Sequence, residues 1–142
     1  MDEFPLVRPI TLSSSDSAQA AVAAMRQAGQ SCVLTMESGK LTGIFTERDV
    51  LSRCMQEAFD WTQSLGALTS PPHVIAASRT VADAIAMMHQ RRYRTLPVMD
   101  GDTVVGIIRT ADIVTSLVEA YPEDLLNLPP RPHQVMETRE GG

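Results

Sequence analysis

The chain has 142 residues, 44% hydrophobic and 20% charged, which excludes a wholly disordered protein and fits one domain or two half-domains sharing a core. The formal net charge is −5 and no stretch approaches about 18 consecutive apolar residues, so we expect no nucleic-acid partner and no membrane span. Two cysteines form no disulfide framework, and the acidic N-terminus does not resemble a signal peptide, which predicts a cytoplasmic protein.

The sequence repeats itself at a spacing of 63 residues. Residues 9–52 align with residues 72–115 without a gap, and about ten of the 44 pairs are identical. The run Gly-Ile at 43–44 recurs at 106–107, followed in both copies by an aspartate at the same distance. Such internal similarity predicts two copies of one structural unit.

Each copy is predicted to fold as β-α-β-β-α. In chain order, copy one contains a strand, a helix, two strands and a second helix at Ile10–Leu12, 18–28, Cys32–Met36, Leu41–Phe45 and from Thr46 onward. Copy two repeats this order at Val74–Ile75, a helix through Val81, Ala84, Ile85 and Met88, Thr95–Met99, Val104–Ile108 and from Thr110 onward. The first helix is predicted to begin at a Ser15 or Asp16 cap and to end at Gly29, and its counterpart to begin at Ser78 or Thr80.

The segment between the copies is predicted to hold a helix-like stretch with Met55, Phe59 and Trp61, before the run Ser-Pro-Pro at 70–72. Beyond Tyr121, four prolines exclude a long helix. The predicted organisation is therefore repeat 1 at 5–56, a linker at 57–71, repeat 2 at 72–120 and a proline-rich tail at 121–142.

Few residues are suited to catalysis. No histidine belongs to a His-Glu-x-x-His pair, and the two cysteines read better as small buried hydrophobic residues than as ligands. A metal site built from Cys32, Cys54 and His73 has no ligand spacing to support it. We therefore expect neither an enzyme nor a resident metal, and a metal-dependent hydrolase is the weakest alternative.

The junction of a strand and a helix at 43–49 is the best candidate for ligand binding. The Thr46 hydroxyl and the free N–H groups of the next helical turn suit an anion, and Arg48 adds a charge for phosphate. A carboxylate at Asp49 is placed to accept hydrogen bonds from a sugar diol. The alternative is a capping box, in which Asp49 binds only the backbone N–H of Thr46.

Three features together resemble a tandem pair of CBS domains, a regulatory unit also called a Bateman module. They are the β-α-β-β-α repeat, the run Arg-Thr-Leu-Pro-Val at 94–98, and Gly-h-h-Thr-x-x-Asp at 43–49, where h is apolar. The match covers about residues 5–120. It implies an α/β (α+β) fold in which two pseudo-symmetric repeats pack as one module and form two clefts for adenosine-containing ligands.

The resemblance assigns residues to both clefts. In cleft A it implies phosphate contacts from Thr46 and Arg48, a ribose contact from Asp49, and an opposite wall of His73, Val74, Ile75, Arg94, Thr95 and Pro97. In cleft B it implies Arg109, Asp112, Ser31 and Cys32. Cleft B departs from the family pattern, because Arg109 stands where the family has Ser or Thr, and Leu34 stands where copy two has proline.

The leading hypothesis is a non-catalytic, energy-sensing module that binds AMP, ADP or ATP and acts on an unidentified regulated protein. S-adenosylmethionine is cationic and fits two arginines less well, and NAD remains an alternative. The resemblance also implies a homodimer packed through helices; the Ala and Met stripes fit close helix approach but would equally serve the core of the monomer. The second hypothesis is an interaction scaffold with an unused cleft, in which Leu125–Pro132 contacts a partner.

Overall fold

Two three-stranded sheets and four helices account for the regular structure of residues 4–120, the part of the chain described by the computed structural model. The predicted tail at 121–142, including Leu125–Pro132, lies outside the described residues. The chain divides into two compact units, Met1–Thr110 and Ala111–Gly142. The first unit contains both sheets and the first three helices.

The predicted order β-α-β-β-α occurs in both copies, and the predicted fold class is confirmed. Copy one contains β1 Thr11–Leu12, α1 Ala18–Ala28, β2 Cys32–Glu37, β3 Lys40–Thr46 and the short α2 Glu47–Asp49, which continues as a π-helical turn Val50–Cys54. Copy two contains β4 Ile75–Ala76, α3 Val81–Arg91, β5 Thr95–Asp100, β6 Thr103–Arg109 and α4 Thr110–Ala120. In each sheet the first two strands are parallel and the last two form an antiparallel hairpin.

Both first strands start one residue later than predicted, and β4 also starts one repeat position later than β1, a difference that a proline explains. In copy one, the N–H of Leu34 donates to the carbonyl of Ile10 at 2.9 Å. The matching residue in copy two is Pro97, which has no N–H, so the corresponding hydrogen bond to the His73 carbonyl cannot form. Pairing with β5 therefore begins at Ile75.

Each copy contributes its leading segment to the sheet of the other copy. Val7 pairs with Ile107 of β6 through two backbone hydrogen bonds of 3.0 and 2.9 Å. At the equivalent place in the repeat, Ser70 pairs with Ile44 of β3 through bonds of 3.2 and 3.1 Å. The exchange joins both sheets through backbone hydrogen bonds, and it brings the start of copy two beside the last strand of copy one.

The glycine that recurs in both copies allows this exchange. A Cβ atom on Gly43 would lie 2.7 Å from Thr69 Oγ1 and 2.8 Å from Thr69 Cβ. A Cβ atom on Gly106 would lie 2.7 Å from Leu6 Cβ. Real Cβ atoms do not approach other heavy atoms so closely, so each hairpin needs glycine where the leading segment of the other copy crosses it.

The helix-like stretch predicted between the copies is wrong. Ala58 takes a positive φ of 61°, and the regular structure between the π-helical turn and β4 is one short 3-10 turn at Leu65–Ala67. The carbonyls of Trp61 and Gln63 accept hydrogen bonds of 3.0 and 2.9 Å from the first two N–H groups of α1. These carbonyls are engaged by α1 and do not take part in a helix of the linker.

The caps of α1 and α3 correct one prediction and confirm another. The N-cap of α1 is Ser17, whose hydroxyl accepts the N–H three residues on at 3.1 Å, and not Ser15 or Asp16. The Asp16 carboxylate instead accepts the N–H of Ser13 at 2.8 Å, which closes the turn before the helix. Thr80, one of two predicted caps, is the N-cap of α3.

The apolar stripes of α1 and α3 face the protein interior, and Gly29 ends α1 with a φ of 63°, as predicted. The buried helix residues are Ala18, Ala21, Met25, Ala84 and Met88. The core of the monomer therefore accounts for the buried part of each stripe, whereas Ile85 on α3 is 42% exposed. A helix-packed dimer stays a prediction.

The second unit is described over residues 111–120, which are helical and continue α4. The Thr115 hydroxyl donates to the carbonyl of Ala111 at 3.0 Å, a bond within the helix. Val114, Leu117 and Val118 are each at least half exposed. None of the helices described in residues 4–120 is long and apolar enough to cross a membrane.

Candidate functional site

The side chain of Asp49 is held at the start of α2 by Thr46. Its Oδ2 atom accepts hydrogen bonds from the backbone N–H of Thr46 at 2.8 Å and from the Thr46 hydroxyl at 3.1 Å. The N–H of Asp49 donates back to the Thr46 hydroxyl oxygen at 3.3 Å. The capping box, which the sequence left as the alternative to ligand binding, is therefore present.

The other carboxylate oxygen of Asp49 is not used by the cap. Asp49 is only 9% exposed, and its Oδ1 atom lies 3.7 Å from Nε of Arg53, an ion-pair distance that is too long for a hydrogen bond. Among the described residues, Oδ1 makes no hydrogen bond. A carboxylate oxygen with unused lone pairs retains the capacity to accept hydrogen bonds from a ligand.

Arg53 connects this carboxylate to the linker. Its Nη1 atom donates to the carbonyl of Leu68 at 2.9 Å, and its Nη2 atom donates to the Ser70 hydroxyl at 3.2 Å. Arg53 was not among the residues predicted for the site. The available signal was its position four residues after Asp49, which on a helix places the two side chains side by side.

His73 and Tyr93 form the aromatic part of the candidate site. Their ring centroids are 4.9 Å apart with an angle of 30° between the planes. The contact joins the segment before β4 to the segment before β5, where Arg94 follows. The Arg94 carbonyl accepts the N–H of Thr110 at 3.0 Å, while the Arg94 side chain is exposed. Tyr93 was also missed, because sequence alone does not show that it contacts His73.

An open pocket of about 570 Å³ lies in the first unit beside Val74. Its lining residues come from both hairpins and from the segment entering β4, and they are Lys40, Leu41, Pro72, Val74, Ala76, Met99, Gly101 and Asp102. Val74 is 40% exposed, whereas Ile75 and Pro97 are buried. Of the predicted base-binding wall, Val74 thus presents its side chain to a pocket. Thr95 is half-buried and Arg48 is exposed.

Of the residues predicted for cleft B, Ser31, Cys32 and Arg109 belong to the first unit. Cys32 is buried, and burial raises the pKa of its thiol to about 11 against an opposing effect of the Arg109 charge, which places Arg109 close to Cys32. The carbonyl of Ser31 accepts the N–H of Glu47 at 3.0 Å. Asp112 belongs to the second unit. Binding in cleft B stays a prediction.

Cys32 is expected to lower stability at alkaline pH. Burial raises the pKa of its thiol from 9.0 to about 11, so between these values the unfolded chain loses the thiol proton and the folded chain keeps it. The free energy of unfolding therefore falls as the pH rises from about 9 to about 11. Urea denaturation at both ends of this range measures the fall, which we expect to be smaller for Cys32→Ala; an equal fall in both proteins contradicts the assignment.

Metal binding finds no support in the described part of the chain. Within residues 4–120, no group of three or more His, Cys, Asp or Glu side chains is placed to hold a metal ion. Cys32 and Cys54 are both buried free thiols. Desolvation raises the pKa of each, which disfavours the thiolate form that binds metals.

Comparison with a family model identifies the family to which the chain belongs. The CBS domain model matches residues 2–56 and again residues 65–119, so the chain belongs to the CBS domain family and carries two such domains. Pairs of CBS domains are regulatory modules. The predicted resemblance is confirmed.

Curated relatives include both a protein of similar length and a much longer one. The CBS domain-containing protein YhcV of Bacillus subtilis is 27% identical over 107 residues, covering 75% of this chain and 76% of that protein. The meiotically up-regulated gene 70 protein of Schizosaccharomyces pombe is 29% identical over 119 residues, which are 82% of this chain. The match spans only 16% of the length of the yeast protein.

Solved CBS structures share the fold. The CBS domain protein PAE2072 from Pyrobaculum aerophilum, complexed with AMP, superposes with a TM-score of 0.72 at 16% identity, covering 83% of this chain and 97% of that one. The CBS domain pair of protein MJ0100, in complex with 5′-methylthioadenosine and S-adenosyl-L-methionine, superposes with a TM-score of 0.72 at 21% identity, covering 83% and 99%. At these identities the likeness shows the fold alone.

Proposed function

We propose that this CBS pair is a non-catalytic regulatory module that binds an adenine nucleotide, AMP, ADP or ATP, in cleft A. The observation that carries the proposal is the Asp49 carboxylate, whose Oδ1 atom makes no hydrogen bond among the described residues and faces Arg53, a side chain that also contacts Leu68 and Ser70. A vicinal ribose diol is a matching donor for such an oxygen. PAE2072, a relative of the same fold, was solved with AMP bound.

The surroundings support a nucleotide with a charged phosphate. The exposed cations Arg48 and Arg94 suit a phosphate group and disfavour the cationic sulfur of S-adenosylmethionine. The aromatic pair of His73 and Tyr93 supplies a surface of the kind that stacks on a flat base. Tyr93 is therefore added to the proposed contacts of cleft A.

The proposed module acts by binding alone. Nucleotide in cleft A would shift the relative populations of conformations of the two copies, and a regulated protein would respond to that shift. We also retain the proposal of a homodimer. Light scattering of the full chain tests it, since the monomer has a mass of 15.5 kDa.

Ligand binding is expected to raise the melting temperature of the wild-type protein. A nucleotide present at about 100 times its dissociation constant stabilises the folded state by about 2.7 kcal/mol, which for a chain of this size is several degrees. The measurement compares AMP, ADP, ATP, S-adenosylmethionine and NAD in one thermal series. Inorganic phosphate is the control, because a general anion effect would raise the melting temperature without the base and ribose.

The capping box supports a second candidate function, an interaction scaffold whose cleft is not used. Thr46 and Asp49 satisfy each other, so their presence at the start of α2 does not require a ligand. If all five compounds leave the melting temperature unchanged, the nucleotide proposal fails and the scaffold becomes the better account. Affinity capture of partners would then be the next experiment.

A further inference from the structure

One guanidinium group connects the proposed ribose-binding carboxylate to the segment that joins the two copies. Arg53 faces Asp49 Oδ1 through Nε at 3.7 Å, and its two terminal nitrogens donate to Leu68 and Ser70. The planar guanidinium holds its donors in a fixed fork, so its three contacts cannot move independently of one another. A displacement of the Asp49 carboxylate that moves Arg53 therefore also alters the contacts of Arg53 with Leu68 and Ser70.

The linker contacts of Arg53 lie where copy two crosses copy one. Ser70 pairs with Ile44 of β3 in both directions, and His73, at the proposed base-binding wall, is three residues further along the chain. Arg53 thus touches the same backbone segment that carries part of the opposite wall of cleft A. Arg53 therefore lies next to cleft A, although it is not one of the residues predicted to contact the ligand.

The two copies differ at the position of Arg53. Arg53 lies on the π-helical turn Val50–Cys54, and such turns often occur at functional sites. The corresponding helix of copy two, Thr110–Ala120, is regular, and the residue that matches Arg53 in the repeat is Ser116, which carries no charge. Only copy one has an arginine at this place in the repeat.

We propose that Arg53 is a positioning residue for cleft A: it orients the Asp49 carboxylate with Oδ1 toward the ribose diol and transmits occupancy of the cleft to the linker at Leu68 and Ser70. The inference rests on the proposed nucleotide function. Because Thr46 holds Oδ2, a ribose diol must use Oδ1, the oxygen that faces Arg53. Hydrogen bonds from the diol to Oδ1 weaken the attraction between this oxygen and the Arg53 guanidinium. The hydrogen bonds from Arg53 to Leu68 and Ser70 in the linker are then strengthened.

The test measures the affinities of AMP, ADP and ATP by calorimetry for the full chain and for Arg53→Gln, Arg53→Lys and Arg26→Gln. We expect Arg53→Gln to weaken binding of the nucleotide that the wild type binds by about tenfold, equivalent to about 1.4 kcal/mol. Lysine keeps the charge but not the fork, so Arg53→Lys should recover part of the affinity. Arg26→Gln, an exposed arginine on α1, is the matched control and should bind as the wild type does.

Hydrogen exchange provides a second measurement that a purely structural role would not change. Addition of nucleotide to the wild type is expected to alter exchange at the amides of Ile44 and Ser70, which bond to each other across the crossing. In Arg53→Gln the same addition, at matched occupancy, should leave these amides unaffected.

The outcomes separate this inference from the proposed function. Equal affinities and equal exchange responses in the wild type and Arg53→Gln, even with a lowered melting temperature in the variant, show that Arg53 serves stability alone and overturn the inference. A wild type that binds none of AMP, ADP and ATP overturns the proposed function and the inference with it. That failure is recognised from the wild-type protein without any variant.

Discussion

Replacing Gly43 with alanine is expected to destabilise the protein by about 2–3 kcal/mol, because the added methyl group overlaps Thr69 where the two copies cross. The new Cβ would lie 2.7 Å from Thr69 Oγ1, 2.8 Å from Thr69 Cβ and 3.0 Å from Thr35 Oγ1. Thr35 is fully buried, and Thr69 Cβ is fixed to a backbone whose next residue, Ser70, pairs with Ile44, so neither neighbour can move away without a shift of the sheet or of the crossing segment. Urea denaturation of the purified variant measures the loss.

A matched control and a rescue make this prediction specific. Alanine at Gly66 would make only ordinary contacts, 3.5 Å from Ser14, so we expect a change of less than about 0.5 kcal/mol there. Combining Gly43→Ala with Thr69→Gly removes both close contacts to Thr69 and should restore part of the stability. Thr69→Gly alone completes the cycle: if Gly43→Ala costs as much in that background as in the wild type, the clash with Thr69 is not the cause.

The same argument applies at the pseudo-symmetric position, Gly106. Alanine there would bring its Cβ 2.7 Å from Leu6 Cβ and 3.2 Å from the carbonyl oxygen of Val7. Because the carbonyl belongs to the backbone, relief requires the exchanged segment to shift. We expect Gly106→Ala to lose stability on the same scale as Gly43→Ala, about 2–3 kcal/mol. A neutral Gly106→Ala would mean that the leading segment packs less tightly on β6 than the structure shows.

Replacing Asp49 with alanine is expected to weaken nucleotide binding by about 1–3 kcal/mol, roughly five- to 150-fold. The variant loses the oxygen proposed to accept hydrogen bonds from ribose. It also loses the half of the capping box in which Asp49 accepts hydrogen bonds from Thr46, which lowers stability by about 1 kcal/mol, whereas Thr46 can still cap α2. Calorimetric titration, carried out well below the melting temperature of the variant, separates the loss of affinity from the loss of stability.

Asp83 is the control for the cap. It forms the same capping box with Thr80 at the start of α3, with bonds of 3.1 Å in both directions, and no ligand role is proposed for it. Asp83→Ala should therefore leave nucleotide affinity unchanged. If Asp49→Ala also binds as the wild type does, Asp49 is only a cap, and the scaffold reading of the cleft is favoured.

Elements with a strong local signal could be predicted from the sequence. The apolar spacing of α1 and α3 and the turn residues of both hairpins lie within short windows, and the helices and strands they predict are observed. The prediction of a helix in the linker was wrong. The apolar residues of the linker suggest a helix, but two of its carbonyls accept hydrogen bonds from α1 instead. Local pattern does not show where a backbone hydrogen bond finds its partner.

The candidate site was predictable in its residue types and not in its contacts. A repeated Gly-Ile followed by an aspartate pointed to the junction at 43–49, and the alternative of a capping box was recognised from the spacing alone. Arg53 meets Leu68 across 15 positions, and His73 meets Tyr93 only after the intervening helix α3 has formed. Neither pair has a spacing that a local rule recognises.

The sequence by itself determined that two similar β-α-β-β-α units follow one another, because strands, helices and turns respond to the period of apolar residues and to local hydrogen bonding. Only the tertiary structure decided why Gly43 and Gly106 recur. Each lies under a segment from the other copy, and the distance between such segments depends on how the chain crosses itself. It also decided which oxygen of Asp49 is held by the cap and which one faces Arg53.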